Sequence, residues 1–224
     1  MKIAIDGPAG AGKSTIARIV AAELGCLYLD TGAMYRALTY EALRRRLDLS
    51  DEKALAALAA AMDLRLVPGR RGRAPRVYVG GREITRDIRS PEVSHRVSQV
   101  ASHAKVREAM VRRQRAIASQ GSVVMDGRDI GTTVLPEADL KIFLQASVKE
   151  RAKRRSRELR RQGHKVRLRE LVHQIAQRDE ADSERAASPL TKAPDAVELD
   201  TTEMSVRQVV QTILELLNRG DGNV

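Results

Sequence analysis

Gly7-Pro8-Ala9-Gly10-Ala11-Gly12-Lys13-Ser14 decides how this chain is read. It fits the pattern Gly-x-x-x-x-Gly-Lys-Ser/Thr, in which the backbone N–H groups of a glycine-rich turn cradle phosphates. The flanks fit as well. Lys2-Ile3-Ala4-Ile5 is short and apolar, with β-branched residues at alternate positions, as in a buried parallel strand. Downstream, Ile16, Ile19, Val20 and Leu24 recur at helical spacing up to Gly25, a natural helix stop. Strand, turn and helix in this order argue against a mere glycine turn with an incidental lysine. The turn, with Thr15 just inside the helix, is therefore expected to bind a nucleoside triphosphate, helped by the partial positive charge of the helix N-terminus. Lys13 would reach the β- and γ-phosphates, and the Ser14 hydroxyl would ligate Mg2+.

The bulk properties narrow the setting. At 224 residues the chain can bury one core with small inserted lobes. Its single cysteine, Cys26, excludes an internal disulfide and suits a reducing cytoplasm. No basic N-terminal region precedes a long apolar stretch, so no signal peptide is expected. The alanine-rich segment 54–62 is too short to span a bilayer. We expect a cytoplasmic monomer without membrane attachment. The net charge of +11 invites a nucleic-acid reading, but aromatics make up only 2% of the chain and tryptophan is absent. The usual stacking platforms for single strands are missing, and no reading motif accompanies the charge. Anionic small molecules are the better match. The densest basic run, 149–161, continues to Lys165, Arg167 and Arg169; it is either a solvated helical face or a set of arginines closing over phosphates.

Apolar runs at 3–5, 27–29, 123–125, 140–144 and 196–199 read as five core strands, with helical patterns between and after them. The fold class expected is α/β, a five-stranded parallel sheet with flanking helices. Val206, Val209, Val210, Ile213, Leu214 and Leu217 form one face of a last helix, with Thr202 as candidate N-cap. Ser147-Val148-Lys149-Glu150 is a capping box opening the basic helix. Two stretches break the rhythm. Within 62–92, two short strands flank a Gly/Arg/Pro turn at 68–75 and read as a small β-hairpin lobe; Ser90-Pro91 then starts a new helix. The region 150–170 reads as a short basic lid, interrupted near Gly163 and His164. The core is then 1–61, 93–149 and 171–224. Both inserts look poor in apolar side chains, and the tail 219–224 looks frayed.

Three further segments carry chemistry. In Leu29-Asp30-Thr31-Gly32-Ala33-Met34-Tyr35-Arg36, Asp30-Thr31 can cap a helix that places Arg36 about a turn inside it. In Val124-Met125-Asp126-Gly127-Arg128-Asp129-Ile130-Gly131, Asp126 ends a strand at the carboxyl edge of the sheet, where ligands bind in open α/β folds. Such an aspartate can hold Mg2+. Arg178, Asp182 and Arg185 fall at i, i+4 and i+7, on one helical face. Taken singly, these are a capped helix, a turn closed by an ion pair and a salt-bridged surface helix.

In this order, and with Ser98-Gln99-Val100-Ala101, Val106-Arg107-Glu108-Ala109 and Arg112-Arg113-Gln114-Arg115, they resemble the bacterial cytidylate kinases along essentially the whole chain. The phosphate loop is generic to many kinases; the segments 31–36 and 126–129 are far more specific. The resemblance implies the P-loop NTPase fold and transfer of the γ-phosphoryl group of ATP to CMP or dCMP. It places Gly7, Pro8, Ala9, Gly10, Ala11, Gly12, Lys13, Ser14 and Thr15 on ATP, with Arg151 and Arg155 serving the ATP side from the lid. It places Thr31, Ser98, Arg107 and Asp129 on the cytosine, Thr31 standing where the family commonly has serine. Arg36, Arg128 and Arg185 would clamp the acceptor phosphate, and Arg178 and Asp182 the ribose hydroxyls. Lys13, Arg128 and Arg185 would offset charge on the transferred group, with Ser14 and Asp126 holding Mg2+. The lobe at 62–92 would be the monophosphate-binding insert.

No strong general base is expected, because the acceptor is already a phosphate oxyanion. His95, His103, His164 and His173 are read as surface or packing residues. From the residues alone, kinases acting on UMP, shikimate or gluconate share the loop. A GTPase is disfavoured, since the sequence has no Asn-Lys-x-Asp segment.

Overall fold

The computed structural model describes residues 1–69, 74–161, 163 and 165–220. The middle of the expected turn at 68–75, His164 of the expected break and the last four residues of the tail lie outside that set. In chain order the elements are β1 (Lys2–Asp6), α1 (Lys13–Glu23), β2 (Leu27–Asp30), α2 (Thr31–Arg44), α3 (Glu52–Ala61), β3 (Leu64–Val67), β4 (Arg76–Val79), β5 (Arg82–Glu83), α4 (Pro91–Ser102), α5 (Ala104–Ala118), β6 (Val123–Asp126), β7 (Leu140–Gln145), α6 (Val148–Arg161), α7 (Leu168–Glu184), β8 (Val197–Asp200) and α8 (Val206–Gly220).

The five expected core strands form one parallel sheet in the order β2-β6-β1-β7-β8. The central strands alternate between two cores. Ile3 and Ile5 face a cluster with Ile16, Val20, Val209 and Ile213 of α1 and α8. Ala4 and Met125 face the opposite cluster, built with Met34, Leu38, Leu55, Val100 and Met110 of α2 to α5. Burial on both faces is why these strands are almost wholly apolar. Their carboxyl ends are not: β1, β2 and β6 end in Asp6, Asp30 and Asp126. Asp30 pairs in register with Asp126, so three carboxylates gather at one edge of the sheet.

Local signals account for the helix ends. Gly25, at φ +64°, closes α1: its N–H bonds Ala22 O at 3.4 Å and the Cys26 N–H bonds Ala21 O at 2.8 Å, a paired closure that needs a left-handed residue. Asp30 caps α2 through the Ala33 N–H at 2.7 Å, and Ser90 caps α4 with Pro91 behind it. Half of the capping box at Ser147 forms. The Glu150 N–H donates to Ser147 Oγ, whereas the Glu150 carboxylate turns to Lys153 and Arg154. The expected cap of the last helix is corrected. Ser205, not Thr202, caps α8, in a box with Gln208, and the Thr202 hydroxyl instead accepts the Ser147 N–H at 3.0 Å.

The lobe has three antiparallel strands, in the order β3-β4-β5, rather than the expected two. Tyr78 and Val79 pair with β5 across Gly80-Gly81, too short a strand to show as a periodic pattern. The lobe also has its own small core. Val77, Ile84 and Ile88 are buried against Ala33 and Ala37 of α2. Similarly, Ala152, Leu171 and Ile175 pack α6 on α7. Few as they are, the apolar side chains of 62–92 are buried against α2, and Ala152 of 150–170 packs on Leu171 and Ile175 just beyond it. Helices also cross both expected boundaries: α4 begins before residue 93 and α7 before residue 171.

Glu41 on α2 gives a test of packing electrostatics. It is 3% exposed and accepts from Arg44 Nε at 2.8 Å and Arg45 Nε at 2.7 Å. These bonds, Arg44's foremost, hold its carboxyl down to about 2, below the ordinary 4.5. A depressed folded value means stability that is present above about pH 4.5 and lost as pH falls toward 2. Glu41→Gln should lower Tm by roughly 2–4 °C at pH 7. In thermal scans the gap to wild type should close as pH falls through that window. A gap unchanged at acid pH would contradict the ion-pair origin.

Candidate active site

The phosphate loop leaves β1 at Gly7, whose φ is +142°. A Cβ there would fall 2.1 Å from Leu144 O of β7, so only glycine lets the loop pass this close to the sheet. The loop's carbonyls are tied outward. Lys13 Nζ bonds Pro8 O at 2.7 Å, Arg151 Nη1 bonds Ala9 O at 2.9 Å and Arg154 Nη1 bonds Ala11 O at 3.3 Å. Gly12, at φ +95°, then opens α1. Thr15 sits in its first turn, exposed, its N–H on Gly12 O at 3.0 Å.

Arg151 thus has a different task from a lid arginine. It is 4% exposed, bonds Ala146 O and Ala9 O, and its Nη2 lies 2.6 Å from Asp179 on α7. It holds the loop backbone and ties α6, α7 and the loop together. Arg155 pairs with Glu158 of its own helix at 2.7 Å.

Across the loop, Ser14 Oγ donates to Asp126 Oδ2 at 2.9 Å. Tyr28, which the sequence analysis did not single out, donates its hydroxyl to Asp126 Oδ1 at 2.7 Å. Burial, and then the neighbouring Asp30, push Asp126 up to about 6. Lys13 is pushed well below its ordinary value by burial, and next by Arg128. The pair is a hydroxyl and a carboxylate oxygen on a crowded acidic edge, the hard-oxygen donor set that Mg2+ takes when it is shared with substrate phosphates. Among the described residues no cluster of three or more His, Cys, Asp or Glu side chains could hold a metal by itself.

The acceptor side is built from five segments. Arg107 on α5 forms a buried ion pair with Asp129, and its Nη1 bonds Ala101 O at 3.2 Å. Thr31 donates its hydroxyl to Asp126 O at 2.6 Å, which leaves the oxygen free only to accept. Asp182 on α7 accepts from Arg128 Nε at 2.8 Å and, at 3.5 Å, from the Ser98 hydroxyl. Burial raises the Asp182 carboxyl, but Arg128 and Arg178 outweigh it and leave it below the ordinary range. Arg36 leans on Asp30 at 3.2 Å. Arg185 is not on the helix with Arg178 and Asp182: it stands one residue past the end of α7, where the chain turns extended. Its Nε reaches Ser188 O at 2.6 Å, and its Nη2 lies 4.0 Å from Asp129.

Among the described residues, Arg36 Nε, Arg107 Nε, Arg178 Nε and Arg185 Nη2 are buried without a hydrogen-bond partner. Burial, and then Arg128, push Arg178 down to about 10. Buried donors left without an acceptor are costly unless a ligand pairs them. The expected site residues gather around this one crevice, Arg151 as a brace and Arg155 acting on Arg178 through its charge. His103 is a packing residue, its Nε2 lying 2.8 Å from Leu49 O.

Asp6, too, escaped the sequence analysis. Its carboxylate, 5% exposed, accepts the Ile130 N–H at 2.9 Å and the Gly131 N–H at 2.7 Å, which fixes the far end of the loop carrying Arg128 and Asp129. The available signal was the repeated apolar run closed by aspartate, shared by β1, β2 and β6. A separate cavity of about 480 Å³, lined by Tyr40, Glu41, Met62 and Arg82 among others, contains none of the expected site residues.

A parallel sheet, a phosphate loop at its central strand and a cationic crevice beyond its carboxyl edge define a P-loop phosphotransferase. The cytidylate kinase family model matches residues 3–219. A cytidylate kinase of Geobacillus sp. (strain WCH70) is 54% identical over 222 residues, covering 99% of this chain and 98% of that protein. One from Bacillus subtilis (strain 168) is 52% identical over 219 residues, covering 98% and 97%. The chain belongs to the cytidylate kinase family. The solved structure of an uncharacterized protein from Eubacterium ventriosum shares the fold at 12% identity and a TM-score of 0.52, over 98% of each chain. Among the described residues no helix is long and apolar enough to cross a membrane.

Proposed function

We propose that this protein transfers the γ-phosphoryl group of ATP to CMP or dCMP, giving ADP and CDP or dCDP, as a cytoplasmic monomer. The observation that carries the reading is the set of four buried, unpaired arginine donors on the acceptor side of a phosphate loop. Arg36 and Arg185 supply positive charge and hydrogen bonds where an acceptor phosphate would sit, and Arg107 and Arg178 supply donors for its base and ribose. Phosphoryl transfer needs alignment and charge neutralisation more than covalent help. Gly7 to Thr15 hold the ATP phosphates. Lys13, Arg128 and Arg185 offset charge on the transferred group. Ser14 and Asp126 would hold Mg2+, which would supply charge neutralisation to the ATP phosphates. Arg36 joins Arg128 and Arg185 on the acceptor phosphate, Arg107, Asp129, Ser98 and Thr31 read the base, and Arg178 and Asp182 hold the ribose. Segments 62–92 and 150–170 act as the movable parts, with the core at 1–61, 93–149 and 171–224 and Arg151 anchoring the second of them to the phosphate loop. Closure over both nucleotides excludes water and limits ATP hydrolysis. Incubation with ATP, Mg2+ and CMP should yield CDP and ADP in equal amounts; ADP formed without CDP would refute the reading.

The ribose assignment has its own test. Asp182→Asn keeps the size of the side chain and an oxygen for Arg128 but weakens acceptance from a 2′-hydroxyl. KM for CMP should rise by roughly tenfold and KM for dCMP by much less. Equal changes for the two substrates would confine Asp182 to orienting Arg128 and Ser98.

A further inference from the structure

Tyr35 stands one helical turn beyond Thr31 on α2, on the same face. Its ring lies in the core with Met34 and Leu38, and the residue is 8% exposed. The Arg107 guanidinium sits over the ring, 5.5 Å from its centroid. A phenylalanine would fill this place equally well. The tyrosine adds a hydroxyl that is buried and has no hydrogen-bond partner among the described residues. Buried phenols ordinarily have one, because an unpaired hydroxyl forfeits its bond to water.

The charges acting on this hydroxyl are those of Arg107, Asp129 and Arg185. The guanidinium that covers the ring is the one paired with Asp129, so Tyr35 stands beside that acceptor-side ion pair. Burial, the dominant effect, keeps the phenol protonated and pushes it up to about 12, so at neutral pH it is a hydrogen-bond donor. Arg107 and Asp129 pair with each other and leave only the charged Arg107 Nε without a partner, and the Thr31 oxygen can only accept. The crevice therefore contains one neutral donor that is free for a bound ring.

We propose that the Tyr35 hydroxyl is a further specificity contact of the acceptor site, donating a hydrogen bond to an acceptor on the edge of the bound pyrimidine, beside Arg107 and Asp129. The proposal rests on the reading of the crevice as a CMP site. An atom without a protein partner contributes nothing to folding, so its loss should be felt only in binding.

Tyr35→Phe separates these effects. KM for CMP should rise about tenfold while KM for ATP stays within twofold of wild type and Tm is unchanged or higher. A KM for CMP within twofold of wild type would overturn the proposal. So would a lower Tm with both KM values raised together, which is the behaviour of a packing residue. A wild-type protein that does not phosphorylate CMP at all would overturn the functional reading itself, and this proposal with it.

Discussion

Lys13→Ala should lower kcat about a thousandfold and leave the fold intact. The lysine is 6% exposed and its Nζ rests on Pro8 O, with burial and Arg128 pressing it toward the neutral form. Its charge is therefore a burden on the free protein and acquires a partner when phosphates arrive. An interaction that strengthens as charge develops on the transferred group lowers the barrier, and a thousandfold corresponds to about 4 kcal/mol. The same logic fixes the stability result. Removing a buried cation that faces other cations should leave Tm unchanged or raise it, the trade-off expected of a strained functional group. A turnover number within tenfold of wild type would remove Lys13 from the reaction.

Asp129→Asn should change the preferred base. The carboxylate is buried in its ion pair with Arg107, so alanine would strand a buried cation and confuse misfolding with lost recognition. Asparagine keeps an oxygen for Arg107 and turns an amide donor toward the base. Cytosine offers an amine at the position where uracil offers a carbonyl, so the variant should lose CMP and gain UMP. Each arm is worth roughly tenfold, and the kcat/KM ratio of CMP to UMP should fall about a hundredfold. An unchanged ratio in a variant of wild-type Tm would place base reading elsewhere.

Some of this was legible in the sequence because the physics involved is local. The phosphate loop, the apolar strands, the Asp30 and Ser90 caps and the Gly25 stop each depend on a handful of adjacent residues. The core strands were easy to recognise because both faces are buried, which removes polar residues from them. What escaped depends on partners distant in sequence. Tyr28 and Asp6 look like strand residues until the sheet brings β1, β2 and β6 together, 98 residues separating Tyr28 from Asp126 and 124 separating Asp6 from Ile130. The family resemblance places Arg151 on the ATP side, and only the fold shows how it is held, buried against a loop 142 residues away. β5 is two residues long, below the reach of any periodicity. The Thr202 and Ser205 assignments show a local rule with two eligible residues, decided by the side chain that Ser147 recruits.

The central claim is that one crevice couples an ATP loop to a cytosine-reading acceptor site. The most direct measurement is ADP release from ATP and Mg2+ with CMP, dCMP, UMP, AMP and GMP offered separately as acceptors. CMP and dCMP should give the highest kcat/KM, UMP a much lower value, and the purine nucleotides rates near background. Equal use of UMP and CMP, or a purine as the favoured acceptor, would contradict it.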